Sequence, residues 1–136
     1  MYKPVLGIIG GGQLGSMLAT AAKKLNVQTT IYCDDENAPA QKFADNFILG
    51  DYNDEKKISE FINQVNIVTY EFENIPFNTL EFINKHKQVL PKPNINQVIQ
   101  NRFSEKNFIN NLGIKTTEYV IIKSLEDLNN NLNLLP

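Results

Sequence analysis

The chain has 136 residues, 42% of them hydrophobic and 21% charged, which suits one ordinary domain with a single core that needs neither disulfides nor metals. A formal net charge of −2 excludes the basic face that nucleic-acid binding requires, and no run approaches the ~18 consecutive apolar residues of a membrane span. Cys33 is the one cysteine and His86 the one histidine, so neither an internal disulfide nor a zinc cluster can form, and a reducing, cytoplasmic setting is expected.

Val5–Ile9 is a short continuous apolar run that predicts a buried parallel strand. Gly10–Gly15 reads as a tight turn. Ser16–Leu25 then reads as a helix, because Leu14, Met17, Leu18, Ala21, Ala22 and Leu25 recur at helical spacing and Lys23 and Lys24 suit its C-terminal dipole. Val27–Cys33, rich in β-branched residues, predicts the second strand. Ala38-Pro39-Ala40 opens a short helical turn running to about Asp45, and Asn46–Gly50 predicts a third strand. Asn53-Asp54 can cap a helix through Asn63 with Ile58, Phe61 and Ile62 inward. Asn66–Glu71 predicts a fourth strand, Pro76 starts a helix carrying Leu80, Phe82 and Ile83, and Gln88–Pro91 predicts a fifth strand. Two helices follow, Asn94–Gln100 and Arg102–Leu112, the second closed by Gly113. Thr117–Ile122 predicts a strand, and Ser124 caps a final weak helix. Strands and helices alternating at this spacing argue for a doubly wound, Rossmann-like α/β sheet over residues 1–112, followed at 113–136 by a helix-then-strand tail that opens a second domain.

Three segments could carry chemistry. Gly10-x-Gly12-x-x-Gly15 follows a strand and opens a helix, with Asp34 and Asp35 about 20 residues on, which is the pattern of a dinucleotide-binding turn. A small NAD-binding regulatory module is therefore one reading. Gln13, at the turn apex, is a donor and acceptor that dinucleotide binding does not need and that could read a small polar substrate. Thr69–Pro76 places Glu71 and Glu73 at alternate positions at the carboxyl end of the fourth strand, where open α/β sheets take ligands, with Asn74 beside them. Asn101–Lys106 places Arg102 just after the α/β unit, where a second domain would dock and a phosphate could be met.

Taken in order, Gly10–Gly15, Asp35 with Ala38-Pro39-Ala40 and Ala44-Asp45, Thr69–Pro76 and Asn101–Lys106 resemble 5-(carboxyamino)imidazole ribonucleotide synthase, a family of ATP-grasp ligases in purine biosynthesis. The resemblance implies an N-terminal pre-ATP-grasp domain. Such enzymes carboxylate the exocyclic amine of 5-aminoimidazole ribonucleotide with ATP and bicarbonate, through carboxyphosphate, with Mg2+ neutralising the phosphates. It further implies that Gly12, Gln13 and Leu14 contact the ribonucleotide and that Glu71 reads its polar groups, with Glu73 and Asn74 as further candidates. Arg102 would meet an ATP phosphate, and the protein would form a homodimer. Ser16 departs from the arginine common in the family at that position, which removes an anion contact.

The ATP-grasp lysines, glycine-rich lid and metal-binding acids of the family have no counterpart in this sequence. The chain alone is therefore expected to be catalytically silent. Leu132–Pro136 stops on proline where a strand would begin, which predicts a truncated gene or an excised domain. A non-catalytic remnant or interaction domain is the third reading.

Overall fold

The computed structural model describes residues 3–132. The chain divides into two compact units, Met1–Gln97 and Val98–Pro136, a division that falls ahead of the 112/113 junction expected from the sequence.

In the first unit β1 (Val5–Ile9), β2 (Gln28–Cys33), β3 (Asn46–Leu49) and β4 (Ile67–Tyr70) form a parallel sheet in the order β3-β2-β1-β4. Ile8 lies opposite Ile31 on one side and Thr69 on the other. Because strand residues alternate between faces, Ile8 and Ile31 pack with Ala19, Ala38 and Ala40, while Ile9 and Tyr32 pack with Phe61, Leu80 and Ile83. Both faces are covered, which is why the strands read as near-continuous apolar runs. The doubly wound α/β sheet predicted from the spacing is the architecture observed.

Helix α1 (Gln13–Lys24) begins three residues earlier than the sequence pattern suggests, inside the glycine motif. Its packing also differs from the apolar spacing. Gly15, Ala19 and Ala22 are the buried positions, whereas Leu14, Met17, Leu18 and Leu25 are exposed. The reason is close approach: a Cβ on Gly15 would stand 2.8 Å from the Gly10 carbonyl oxygen, so the helix lies on the sheet through its smallest residues. A short 3-10 helix, Pro39–Lys42, packs on the same face. On the other face α2 (Glu55–Gln64) is capped by Asp54, whose carboxylate accepts the Lys57 N–H at 3.0 Å, and buries Ile58, Phe61 and Ile62 as expected. Helix α3 (Phe77–Asn84) follows Pro76 and buries Thr79, Leu80 and Ile83.

Two expected strands are not formed. Gln88–Pro91 contributes a single parallel bridge, Val68 to Val89, flanked by the bonds Val68 N–H to Gln88 carbonyl and Leu90 N–H to Val68 carbonyl, both 2.9 Å. The Leu90–Pro91 peptide is cis, and proline has no N–H with which to extend the ladder. Helix α4 (Pro93–Ile99) then carries the chain across the division.

In the second unit α5 (Arg102–Asn111) is capped by Asn101, whose side chain accepts the Ser104 N–H at 3.0 Å, and it ends at Gly113 with φ 78°. The segment expected as a strand at Thr117–Ile122 pairs with no other strand among the described residues. It is tied to α5 by side chains instead. Lys106 Nζ donates to Thr117 Oγ1 at 2.8 Å, and the Tyr119 hydroxyl donates to Asn107 Oδ1 at 2.6 Å. A β-branched run without a partner backbone has nothing to zip against. Helix α6 (Leu125–Asn131) is capped by Ser124 as expected, and the expectation for Leu132–Pro136 lies almost wholly outside the described residues.

Candidate functional site

Strand β1 lies between β2 and β4, so the strand order reverses across it. The crevice at the carboxyl ends of β1 and β4 is the place where open α/β sheets take ligands. Two of the sequence motifs meet there.

The turn after β1 is three residues long, Gly10–Gly12. Gln13 is the first helical residue rather than a turn apex, and Gly12 stands at the N-cap. Gly10 has φ 106°, a conformation open to glycine and strained for any residue with a Cβ. Two of the three glycine N–H groups of this turn are bonded to acceptors in the chain itself. Gly10 donates to the Tyr32 carbonyl at 2.9 Å, and Gly12 donates to Glu71 Oε1 at 3.1 Å.

The turn is also covered. Ala40 N–H donates to the Gly11 carbonyl at 3.0 Å, and a Cβ on Gly11 would stand 2.6 Å from Ala38 Cβ and 2.8 Å from Cys33 Sγ. This explains the small residues of the Ala38-Pro39-Ala40 motif, since larger side chains would lift the 3-10 helix off the glycines. Burial pushes the Cys33 thiol above its ordinary pKa and neighbouring Asp34 adds to the shift, against the opposing N–H groups of Asp35 and Gly11. Cys33 is thus a packed thiol, not an activated nucleophile. Asp35 folds back locally, its Oδ1 accepting the Asn37 N–H at 2.8 Å.

Glu71 is partly buried, and its backbone N–H donates to the Ile9 carbonyl at 3.2 Å, which carries the β1–β4 pairing one residue past Tyr70. That pairing aims the side chain at the glycine turn. Phe72, Glu73 and Asn74 arch outward and are exposed. The arch is pinned at its far end by fully buried Ile75, whose carbonyl accepts Asn96 Nδ2 at 3.1 Å, and Asn96 is itself 0% exposed. Of the two acids expected on one side, Glu71 is the one tied to the turn. Gln13 and Leu14 are exposed on the first turn of α1. Beside them runs a groove of about 540 Å³ lined by Gln13, Met17, Thr20, Lys24 and Phe43 among others.

Arg102 lies in the second unit on the first turn of α5, exposed, with its guanidinium against Glu105. Among the described residues no three His, Cys, Asp or Glu side chains are grouped to hold a metal ion. Sequence reading missed Asn96 and the cover formed by Ala38. A buried asparagine in a polar-looking helix carries no sequence signal, whereas two alanines flanking a proline could have been read as a close-packing device.

A doubly wound parallel sheet in which a glycine turn after the first strand meets an acid at the end of the fourth defines a nucleotide-type α/β domain. Residues 3–100 match the family described as ribonucleotide synthetase preATP-grasp domain, and the chain belongs to that family. It is similar to N5-carboxyaminoimidazole ribonucleotide synthase of Brucella melitensis, 38% identical over 123 residues that make up 90% of this chain and 34% of that protein. The crystal structure of N5-carboxyaminoimidazole ribonucleotide synthetase from Thermus thermophilus superposes with a TM-score of 0.86 at 31% identity, over 96% of this chain and 36% of that one. The Aspergillus clavatus synthase in complex with ADP and 5-aminoimidazole ribonucleotide superposes with a TM-score of 0.83 at 26% identity, over 97% and 36%. The chain thus spans about a third of the length of these relatives.

Proposed function

We propose that this chain is the ribonucleotide-holding N-terminal part of an ATP-dependent carbon–nitrogen ligase that carboxylates 5-aminoimidazole ribonucleotide with bicarbonate in purine biosynthesis. The observation that carries the proposal is the meeting of Gly12 and Glu71 at the sheet's switch point, in a chain whose relatives are named for that reaction. Gln13 and Leu14 offer backbone and side-chain amide groups to the ligand, beside Gly12, whose N–H holds Glu71. Glu71 accepts from its hydroxyl or amine donors, and Glu73 and Asn74 rim the same crevice. Arg102, exposed on α5, contacts a phosphate of ATP. ATP and Mg2+ are held mainly by parts of the ligase beyond this sequence, so the chain by itself turns over no ATP.

The same reading includes cytoplasmic location, supported by the single buried thiol Cys33. It also includes a homodimer, supported by the exposed apolar side chains of Met17 and Leu18 on α1 and of Leu25 at its C-cap. Calorimetric titration of the purified chain with 5-aminoimidazole ribonucleotide tests the substrate assignment: saturable binding supports it, and binding of NADH in its place overturns it.

A further inference from the structure

We infer that Glu71 excludes phosphate from the first βα turn, so that a sequence with the spacing of a dinucleotide fingerprint is closed to the group such fingerprints bind. In a phosphate-binding turn of this kind the glycine N–H groups and the helix N-terminus point at the anion. Here the N–H groups of Gly10 and Gly12 are bonded to acceptors within the chain, and the outer of the two, Gly12, faces a carboxylate. A phosphate approaching Gly12 would have to displace Glu71 Oε1 from 3.1 Å and then stand beside its negative charge. The deeper glycine is no alternative, since Gly11 is buried beneath Ala38 and Cys33.

The carboxylate is held in that position by the fold. Its own backbone pairs with Ile9, and the arch behind it is anchored through Ile75 and Asn96. The turn therefore favours uncharged or donor groups of a ligand, and a phosphate must be received elsewhere. The inference concerns only the anion selectivity of the turn and holds whichever ligand the domain takes.

The test follows the backbone amide signals of Gly12, Gln13 and Leu14 by nuclear magnetic resonance in the unmodified chain and in Glu71→Ala. Inorganic phosphate is titrated at neutral pH against chloride of matched ionic strength. The expected result is no saturable shift at Gly12 in the unmodified chain and a saturable shift in Glu71→Ala. The apparent affinity should be at least about tenfold higher, as removal of one like charge in contact with an anion implies. Glu71→Gln, which keeps the side chain's shape and removes its charge, should also gain a response, and it carries the test if Glu71→Ala fails to fold. A saturable Gly12 shift of equal midpoint in the unmodified chain would overturn the inference, as would the absence of any gain in both variants. Failure of 5-aminoimidazole ribonucleotide to bind would leave this result untouched, so the two proposals fail separately.

Discussion

Gly10→Ala is the substitution that most sharply probes the glycine turn. Gly10 has φ 106°, and an added Cβ would meet Glu71 Oε1 at 2.6 Å and Cγ at 2.9 Å. The left-handed backbone alone costs about 1–2 kcal/mol for a residue with a Cβ. Glu71 can relieve the clash only by swinging away, which gives up its bond to the Gly12 N–H; hydrogen bonds to charged groups contribute roughly 1.5–3 kcal/mol, toward the lower end at a partly exposed site. The expected loss is therefore about 2–4 kcal/mol. Gly113→Ala is the internal comparison, because Gly113 also has positive φ (78°) but nothing within 4 Å of an added Cβ, so only the backbone term of about 1–2 kcal/mol applies. Urea unfolding followed by circular dichroism measures both. Repeating Gly10→Ala in a Glu71→Ala background isolates the coupling, and the second loss should shrink by about 1–2 kcal/mol because no carboxylate remains to be displaced. Equal losses in the two backgrounds would refute the account of why the turn begins with glycine.

Three further outcomes are expected. Phe61 is 0% exposed in the core between α2 and the sheet, so Phe61→Ala should cost about 3–5 kcal/mol in the same urea assay. Burial raises the pKa of Tyr32, Tyr52 and Tyr70, with Asp54 reinforcing it at Tyr32 and Cys33 at Tyr52. Their folded values lie above the unfolded one, so the stability they contribute is complete below about pH 10 and is lost as the pH climbs through the folded values. Ultraviolet difference absorbance should show these three ionising only as the chain unfolds in alkali. Cys33, buried and with its thiol pKa raised, should react with a thiol reagent only on unfolding, and labelling of the native chain at the rate of a free thiol would contradict its packing beneath Gly11.

Much of the fold was legible because its signals are local. Four apolar or β-branched runs, separated by helical spacing, define the four strands, and Asp54 and Ser124 cap the helices they precede in sequence. Less visible were features that depend on what lies across the gap. The stripe Leu14, Met17, Leu18 and Leu25 has helical period, yet α1 turns its glycine and alanines to the sheet, and periodicity alone cannot say which side a close-packed helix buries. Thr117–Ile122 has strand composition but lacks a neighbouring strand among the described residues. The Gly10–Gly15 motif was readable as a strand-to-helix turn. Its occupation by Glu71 was not, because residues 59 apart in sequence meet there only through the β1–β4 pairing.

The central claim is that the Gly12–Glu71 crevice holds a ribonucleotide. Isothermal calorimetry of the unmodified chain, Gln13→Ala and Glu71→Ala, each titrated with 5-aminoimidazole ribonucleotide and in parallel with NADH, tests it most directly. The account predicts saturable binding of the ribonucleotide, weakened about tenfold or more by either substitution, as expected when a hydrogen-bonding partner of about 1.4 kcal/mol or more is removed, and no binding of NADH. Binding of NADH without the ribonucleotide, or ribonucleotide binding indifferent to both substitutions, would contradict it.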